Sequence, residues 1–182
     1  MRRKTAKEII AESFRELAQT RSIDKITVKE ITENCGYSPA TFYRQFKDKY
    51  DLIAWDYTRE IEKILSNMGA EGYSYRKILL EAARYYQAQK DYLENLFLHT
   101  RGMDSFIYYM QEIHYKALKE SIIKLLPDQV LNETLSIYIR IYVLGTVHLT
   151  CEWILGHYHI SPEELAEVYG KSIPEPLKEY LL

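Results

Sequence analysis

The sequence predicts an all-α protein with a small N-terminal domain and a larger helical body. Apolar residues recur at spacings of three and four along most of the chain, and no stretch competes with the alternation of a half-buried strand. Glycine and proline fall between the helical segments. A length of 182 residues exceeds one typical small domain. We therefore expect residues 1–50 to form the first domain and residues 51–182 the second.

The first predicted helix runs from about residue 4 to residue 20. Ile10, Phe14 and Leu17 are four and three residues apart, so their side chains share one face of a helix. We expect that face to form the back of the N-terminal domain.

Two short helices joined by a tight turn are predicted between residues 27 and 53. Thr27 and Glu30 form a capping box, in which each side chain bonds to the other residue's backbone N–H. A helix should therefore begin near Val28. Gly36 can adopt the left-handed conformation that ends it.

The second of these helices is expected to run from Pro39 to about Phe46. Ser38 suits the N-cap, and proline suits the first position because its missing N–H would have no partner there. Phe42 and Phe46 are four residues apart and should both point inward. The face left outside carries Ala40, Thr41, Tyr43 and Arg44. Such a face suits insertion into a DNA major groove, where Arg44 could read a guanine edge or hold a phosphate.

The run Gly36–Tyr43, followed by Phe46, Lys49 and Leu52, resembles the helix-turn-helix signature of the TetR/AcrR family of transcriptional regulators. The resemblance is specific over roughly residues 5–55 and weak beyond them. It implies a homodimer with an N-terminal three-helix DNA-binding domain. It also implies a C-terminal helical domain that binds small molecules and forms the dimer.

The resemblance also assigns roles to single positions. Tyr43 is similar to the family's phosphate-contacting tyrosine, and Lys49 to its lysine at the start of the next helix. Base reading would fall between Ser38 and Arg44, without the buried Phe42. The expected DNA-binding residues are Thr27, Ser38, Pro39, Ala40, Thr41, Tyr43, Arg44 and Lys49. Taken alone, Tyr43 would suit a packing residue and Lys49 a solvated surface lysine.

The charge is unevenly distributed, although the formal net charge is only −2. Residues 1–50 contain 11 Lys and Arg against 7 Asp and Glu, whereas residues 51–182 contain 13 against 19. The positive charge thus accompanies the predicted DNA-binding segment. A basic cluster near the N-terminus could neutralise phosphates or enter a minor groove, or it could be a solvated tail. Its members are Arg2, Arg3, Lys4 and Lys7.

Other classes of protein are not expected. Cys35 and Cys151 lie far apart and show no ligand spacing, so we expect neither a disulfide framework nor a metal site, and no cofactor. We recognise no catalytic motif and expect no enzyme. We also expect no membrane span and no signal peptide, and therefore a cytoplasmic protein.

A helix linking the two domains is predicted from Lys49 towards Met68, with Asp48 as its N-cap. We expect this helix to be the only covalent and packed route between the domains. The packing boundary is expected between residues 67 and 74. The apolar positions of the helix are Leu52, Ile53, Ile61 and Leu65.

Four or five further helices are predicted in the body. They cover residues 74–89, 91–99, 103–126, 129–157 and 162–181. Gly102 and Pro127 mark breaks, and Pro174 and Pro176 should kink or interrupt the last helix. Ser161 and Glu164 form another capping box, with proline between them at the first helical position.

The segment Val130–Leu155 is the most apolar in the chain. A helix that is apolar on several faces must be covered on several faces. We expect a second copy of the chain to cover one of them, in a four-helix interface made from the last two long helices of each subunit. A purely internal core helix is the alternative.

Fourteen of the 17 tyrosines follow residue 50, and a tyrosine can line a pocket with an apolar ring and a hydroxyl. Arg140 needs an anion, an acidic partner or an exit to solvent, because isoleucines flank it. The expected ligand-binding residues are His99, Tyr108, Tyr138, Arg140, Tyr142 and His148. Each could instead be a structural residue.

The sequence therefore predicts a homodimeric transcriptional regulator that binds double-stranded operator DNA. We expect a repressor that a small-molecule effector releases. The alternatives are an activator, or an adaptor whose body receives its signal from a partner protein.

Overall fold

A computed structural model describes residues 3–70, 72–99 and 106–182. These residues form ten α-helices and a short 3-10 turn at Ile23–Lys25, without strands, as the sequence predicts. The helices are α1 (Ala6–Ala18), α2 (Val28–Cys35), α3 (Pro39–Gln45), α4 (Lys49–Leu65), α5 (Tyr75–Ala88), α6 (Lys90–His99), α7 (Phe106–Leu125), α8 (Glu133–Ile154), α9 (Pro162–Lys171) and α10 (Glu175–Leu181).

The boundaries of α2 and α3 confirm the predicted caps. The Glu30 backbone N–H donates to Thr27 Oγ1 at 3.3 Å, and the Thr27 N–H donates to Glu30 Oε2 at 2.9 Å. Gly36 ends α2 with φ of 73°, which a side chain would disfavour. Ser38 Oγ then accepts from the Thr41 N–H at 3.2 Å and begins α3.

The first three helices enclose a small apolar core. Ile10, Phe14 and Ile31 are buried between α1 and α2, and both Phe42 and Phe46 point inward as predicted. Burying a large apolar side chain contributes about 1.5–3 kcal/mol to stability. Because these five side chains are buried where the helices meet, they hold α3 in place against α1 and α2.

Helix α4 begins and packs as predicted. Asp48 Oδ1 accepts from the backbone N–H groups of Tyr50 and Asp51 at 2.8 and 2.9 Å. The helix ends at Leu65, three residues before the predicted Met68. Its inward side chains contact both α1 and the body helices. Because α4 packs against both parts, the division of the chain into domains at residue 50 stays a prediction. The predicted apolar positions, all buried, are Leu52, Ile53, Ile61 and Leu65.

The body helices α7 and α8 pack side by side, and α5 packs against α9. Helix α8 begins at Glu133, four residues later than predicted, because Gln129 has a positive φ of 55° and Asn132 supplies the N-cap. It ends at Ile154, before a left-handed Gly156. Gly102 and the first residues of the helix predicted from residue 103 lie outside the described residues.

The predicted last helix is two helices. The predicted capping box at Ser161 and Glu164 begins α9, and the segment around Pro174 separates α9 from α10. This confirms the interruption predicted from the prolines. Helix α10 packs against α8, so the end of the described chain closes one side of the body.

A second packed route joins the N-terminal domain to the body, which corrects the prediction that α4 is the only one. Asn95 of α6 donates from Nδ2 to the carbonyls of Ala18 and Arg21 at 2.8 and 2.7 Å. Its Oδ1 accepts from the Ile23 N–H at 3.2 Å. One body side chain thus satisfies three backbone groups that the end of α1 and the following turn leave open.

Buried charges reinforce the same junction. Arg15 of α1 donates from Nε to Asp56 Oδ2 of α4 at 2.5 Å, and the Asp56 side chain is fully buried. Arg59 of α4 lies 3.3 Å from the other oxygen of Asp56. The Arg15 guanidinium also lies over the ring of Tyr92 of α6. Helices α1, α4 and α6 are therefore tied together by one network.

The prediction of no membrane-length apolar stretch needs a correction at α8. By length and composition its 22 residues could cross a membrane, and among the described helices it is the one that meets this test. This length was not recognised from the sequence, because Glu133 and Arg140 interrupt the apolar run. In the structure, one side of α8 packs into the body core.

Candidate nucleic-acid interface and body cavity

The outward face of α3 has the composition predicted for a DNA-reading helix. Tyr43 is 60% exposed, and Ala40 and Arg44 are exposed as well. The Tyr43 ring meets the buried Phe42 ring edge-on, with 5.4 Å between centroids. The tyrosine is therefore held at its base while its hydroxyl end faces solvent.

Hydrogen bonds order the polar groups on this face. Thr41 Oγ1 lies 3.1 Å from Ser38 Oγ and accepts from Arg44 Nη2 at 3.1 Å. The guanidinium keeps four other N–H groups for a ligand. A chain of hydroxyls thus holds an arginine with its remaining donors directed away from the core.

Thr27 lies at the start of α2, with its hydroxyl engaged in the capping box. Arg21 donates to Glu30 Oε1 at 2.8 Å, and this bond and those from Thr27 lower the pKa of the Glu30 carboxyl to about 2. Thr27 is exposed, so a ligand can reach its backbone and its methyl group. The carboxylate beside it stays ionised at neutral pH.

Lys49 differs from the other predicted contacts. Its ammonium donates to the backbone carbonyls of Ile23, Asp24 and Ile26 at 2.8, 2.9 and 3.0 Å. An ammonium has three N–H donors, and all three are used here. Burial lowers the pKa of this lysine. In this structure Lys49 anchors the start of α4 to the 3-10 turn.

Two members of the predicted basic cluster are ordered against the protein. Lys4 pairs with Glu12 at 2.7 Å, and Lys7 Nζ lies 4.8 Å from the Trp55 ring centroid and 5.0 Å from that of Phe46. Arg2 lies outside the described residues. Of these two lysines, Lys7 places a positive charge beside α4, and Lys4 is paired with Glu12 of α1.

The body contains a cavity of about 50 Å³ between α4, α5, α7, α8 and α9. Its lining is mostly apolar, and the described residues that form it include no Lys, Arg, Asp or Glu. The lining residues with polar side-chain groups are Tyr75, Tyr86, His114, Thr146, Thr150 and Tyr169.

A hydrogen-bonded triad stands at the α4 side of this cavity. The hydroxyl oxygens of Tyr57 and Tyr86 are 2.9 Å apart, and His114 Nε2 lies 3.0 and 2.7 Å from them. Tyr86 and His114 line the cavity, whereas Tyr57 belongs to α4. Burial lowers the pKa of His114 to about 4 and raises the pKa of both tyrosines, so the triad is uncharged at neutral pH.

None of the six predicted ligand-binding residues lines the cavity. Tyr108 and Tyr138 are partly exposed on α7 and α8, and His148 lies on the outer face of α8, 3.5 Å from Glu152. His99 lies at the end of α6, with Nε2 2.8 Å from Ser22 Oγ. It therefore belongs to the junction between the domains.

The other two candidates have structural partners. Arg140 pairs with Glu112 of α7 at 2.5 Å and lies over the Tyr115 ring. An acidic partner is one of the three alternatives that the sequence left open for Arg140. Tyr142 is buried, and its hydroxyl donates to the Tyr169 carbonyl at 2.9 Å. Tyr86 and His114 could not be recognised from the sequence, because nothing local distinguishes them from the other tyrosines and histidines.

The two cysteines are free. Cys151 is buried in α8, and burial raises the pKa of its thiol to about 12. Such a thiol is unreactive at neutral pH. In residues 3–70, 72–99 and 106–182 we find no group of three His, Cys, Asp or Glu placed to hold a metal ion.

Two family models match the chain. One, described as bacterial regulatory proteins of the tetR family, matches residues 9–54, and one described as a transcriptional regulator C-terminal region matches residues 74–174. A curated relative is the HTH-type dhaKLM operon transcriptional activator DhaS of Lactococcus lactis subsp. lactis (strain IL1403). The two are 23% identical over 99 residues, which are 54% of this chain and about half (52%) of the relative.

Solved structures share the fold. A structure of the dihydroxyacetone kinase operon activator DhaS superposes with a TM-score of 0.71 at 18% identity, covering 97% of this chain and 98% of that one. Thermus thermophilus FadR, a transcriptional repressor in complex with lauroyl-CoA, gives 0.62 at 16% identity and 92% coverage of each chain. Bacillus subtilis FadR in complex with stearoyl-CoA gives 0.58 at 14% identity, covering 92% of this chain and 97% of that one.

Proposed function

The chain belongs to the TetR family of DNA-binding transcriptional regulators, whose members act as dimers on operator DNA, and we propose that it reads its operator through the outward face of α3. Ser38, Ala40, Thr41 and Arg44 would face base edges in the major groove. Tyr43 would contact a phosphate. The observation that carries this assignment is the exposed, hydrogen-bonded face of α3 above the buried Phe42 and Phe46.

Thr27 and Pro39 complete the proposed surface from the starts of α2 and α3. The Thr27 N–H is already bonded to Glu30 and proline has no N–H, so both residues would contact the DNA sugar–phosphate backbone through their side chains. We give Lys49 a positioning role instead, since its three donors already hold the 3-10 turn.

The proposed dimer interface is centred on the outer face of α8. Ile137 and Ile141 are 53% and 59% exposed there, and the face is uncharged up to Glu152. An exposed apolar face of this length is typical of a protein interface. Its exposed positions are Thr134, Ile137, Tyr138, Ile141, Leu144, Gly145, His148 and Leu149.

A second copy fits this face because a two-fold axis places the same apolar surface on both partners. Val168 of α9 is exposed and would extend the contact from the C-terminal helices. The dimer would place two copies of α3 about one helical turn of DNA apart, roughly 34 Å. Because its proposed ligand is chromosomal DNA, we place the protein in the cytoplasm.

The proposed regulation is that an effector in the body favours a conformation with wrongly spaced α3 helices. Both α4 and α6 would carry the change. The two FadR structures hold acyl-CoA, and pockets for drug-sized or larger molecules measure several hundred Å³. The cavity in this chain measures only about 50 Å³. We therefore propose a smaller effector.

We propose that the protein is a repressor that its effector releases, with activation as the second candidate because the relative DhaS is an activator. Genomic fragments retained by the purified protein would identify the operator. Transcription from the promoter next to that operator, measured with and without the protein, then shows whether the protein represses or activates. Retention of no specific fragment at low salt would contradict the DNA-binding proposal itself.

A further inference from the structure

We propose that the body cavity takes a small uncharged molecule, mostly apolar with one hydrogen-bonding group, and that Tyr86 and His114 recognise this group. The inference deepens the proposed effector regulation and rests on it for its biological role. The binding itself can be measured without DNA. A short-chain alcohol or a phenol has the required chemistry.

The lining excludes charge. Moving a carboxylate or phosphate out of water costs several kcal/mol unless a cation or several donors replace the water. The described lining offers tyrosine, threonine and histidine groups, and the histidine is neutral because burial lowers its pKa to about 4. An anion would therefore lack a cationic partner, and a cation would lack a carboxylate.

The cavity volume limits the size of the molecule. A water occupies roughly 10–15 Å³ on this measure, so about 50 Å³ corresponds to a few water-sized groups. Met68 and Met110 line the cavity, and unbranched methionine side chains rearrange readily. A molecule of about five to seven non-hydrogen atoms is therefore the size we infer.

The triad supplies the polar contact. The single nitrogen His114 Nε2 either donates or accepts, so at most two of the three close contacts hold a hydrogen bond at one time. Acceptor positions on both hydroxyl oxygens remain free. A ligand hydroxyl near Tyr86 and His114 can therefore donate or accept there, replacing a contact with Tyr57.

This exchange would reach the DNA-binding domain directly. Tyr57 lies on α4 next to Asp56, the residue that pairs with Arg15 of α1. Loss of the Tyr57 contacts removes one hydrogen-bonded link from α4 to α5 and one from α4 to α7. The ligand would thus act on the linking helix through a single hydroxyl.

The test uses the full-length protein with ¹³C-methyl methionine, because two of its four methionines, Met68 and Met110, line the cavity. Substitution of each by leucine assigns the signals. The probes are 2-methylpropan-1-ol and phenol, with 2-methylpropanoate and benzoate as charged counterparts. We expect saturable shifts of both signals with the alcohols and none with the carboxylates.

Variants locate the polar contact. We expect Tyr86→Phe to weaken phenol about five- to tenfold, the effect of one lost hydrogen bond, and to leave toluene binding unchanged. The exposed Tyr158→Phe is the matched control and should bind as the parent does. Tyr57→Phe should bind phenol but lose any phenol effect on DNA retention.

Three outcomes would overturn the proposal. They are equal or tighter binding of the carboxylates, an unchanged phenol affinity in both Tyr86→Phe and His114→Gln, and no saturable shift with any probe. Phenol binding together with failure to retain DNA would instead contradict the proposed function and leave the cavity assignment standing. An equal phenol effect on DNA retention in Tyr57→Phe would overturn the route through α4.

Discussion

Arg15 of α1 and Asp56 of α4 form an ion pair in which the carboxylate is fully buried and the guanidinium partly buried, with 2.5 Å between Nε and Oδ2. The pair sits where the DNA-binding domain meets the body, and the next residue, Tyr57, contacts His114 inside the body. One turn of α4 therefore holds a contact to each domain.

Asp56→Ala should destabilise the protein by about 3–5 kcal/mol, because it leaves the Arg15 guanidinium buried without its charge partner. Chemical denaturation measures the change. Glu167→Ala, which breaks the exposed pair with Lys171, is the matched control and should change the stability little. Similar losses in the two variants would contradict the structural role of the buried pair.

Tyr43→Ala should weaken binding to every DNA sequence, since we assign the tyrosine to a phosphate. Arg44→Ala should weaken binding about tenfold or more and change the preference at one base position, as expected for a lost base contact worth about 1–3 kcal/mol. Binding to a library of operator variants measures both. Unchanged binding in both variants would exclude this face of α3.

Lys49→Met should lower the stability of the DNA-binding domain by about 1–3 kcal/mol, because three carbonyls lose a charged donor. The salt dependence of DNA binding should stay the same, whereas loss of a phosphate contact would reduce its slope by about one. Lys47→Met removes a neighbouring exposed charge and should leave stability unchanged. A reduced slope in Lys49→Met would restore the DNA-binding role expected for Lys49 from the family resemblance.

Ile141→Asp should convert the dimer to monomers, because it buries a charge on each side of the proposed interface. Sedimentation or light scattering reports the mass. Tyr43→Ala serves as the control, since it alters an exposed aromatic residue at the DNA-binding end and should stay dimeric. A dimer that persists in Ile141→Asp would move the interface away from α8.

The protein should lose stability as the pH falls from about 6.5 to about 4, in part through His114. Its pKa is lowered to about 4 in the folded protein, so within this window the unfolded chain takes up the proton and the folded chain does not. The loss amounts to at most about 3 kcal/mol. Melting temperatures of His114→Gln should fall less over the same range. Parallel pH profiles would show that His114 does not contribute.

Local chemistry explains what the sequence could predict. The caps at Thr27 and Ser38, the glycine at position 36 and the inward phenylalanines act over three or four residues, so α2 and α3 could be placed closely. The predicted start of α8 at residue 129 was wrong, because the backbone conformation of Gln129 depends on its surroundings. An apolar run alone does not show where a cap will form.

The cavity and the junction depend on contacts between distant segments. Tyr57, Tyr86 and His114 come from three helices, and 17 tyrosines offered too many alternatives to choose from sequence. Asn95 likewise resembles any surface asparagine until α6 lies beside α1. The expected ligand-binding residues lie outside this cavity for the same reason, since exposure on α8 and pairing of Arg140 with Glu112 are decided by packing.

Asn95 also limits how this regulator can be re-engineered. A chimera that joins residues 1–50 to the body of another regulator would leave the carbonyls of Ala18 and Arg21 and the N–H of Ile23 without this side chain. A graft would need an asparagine at the matching position of the recipient. Operator specificity and effector specificity in this protein are thus not independently exchangeable modules.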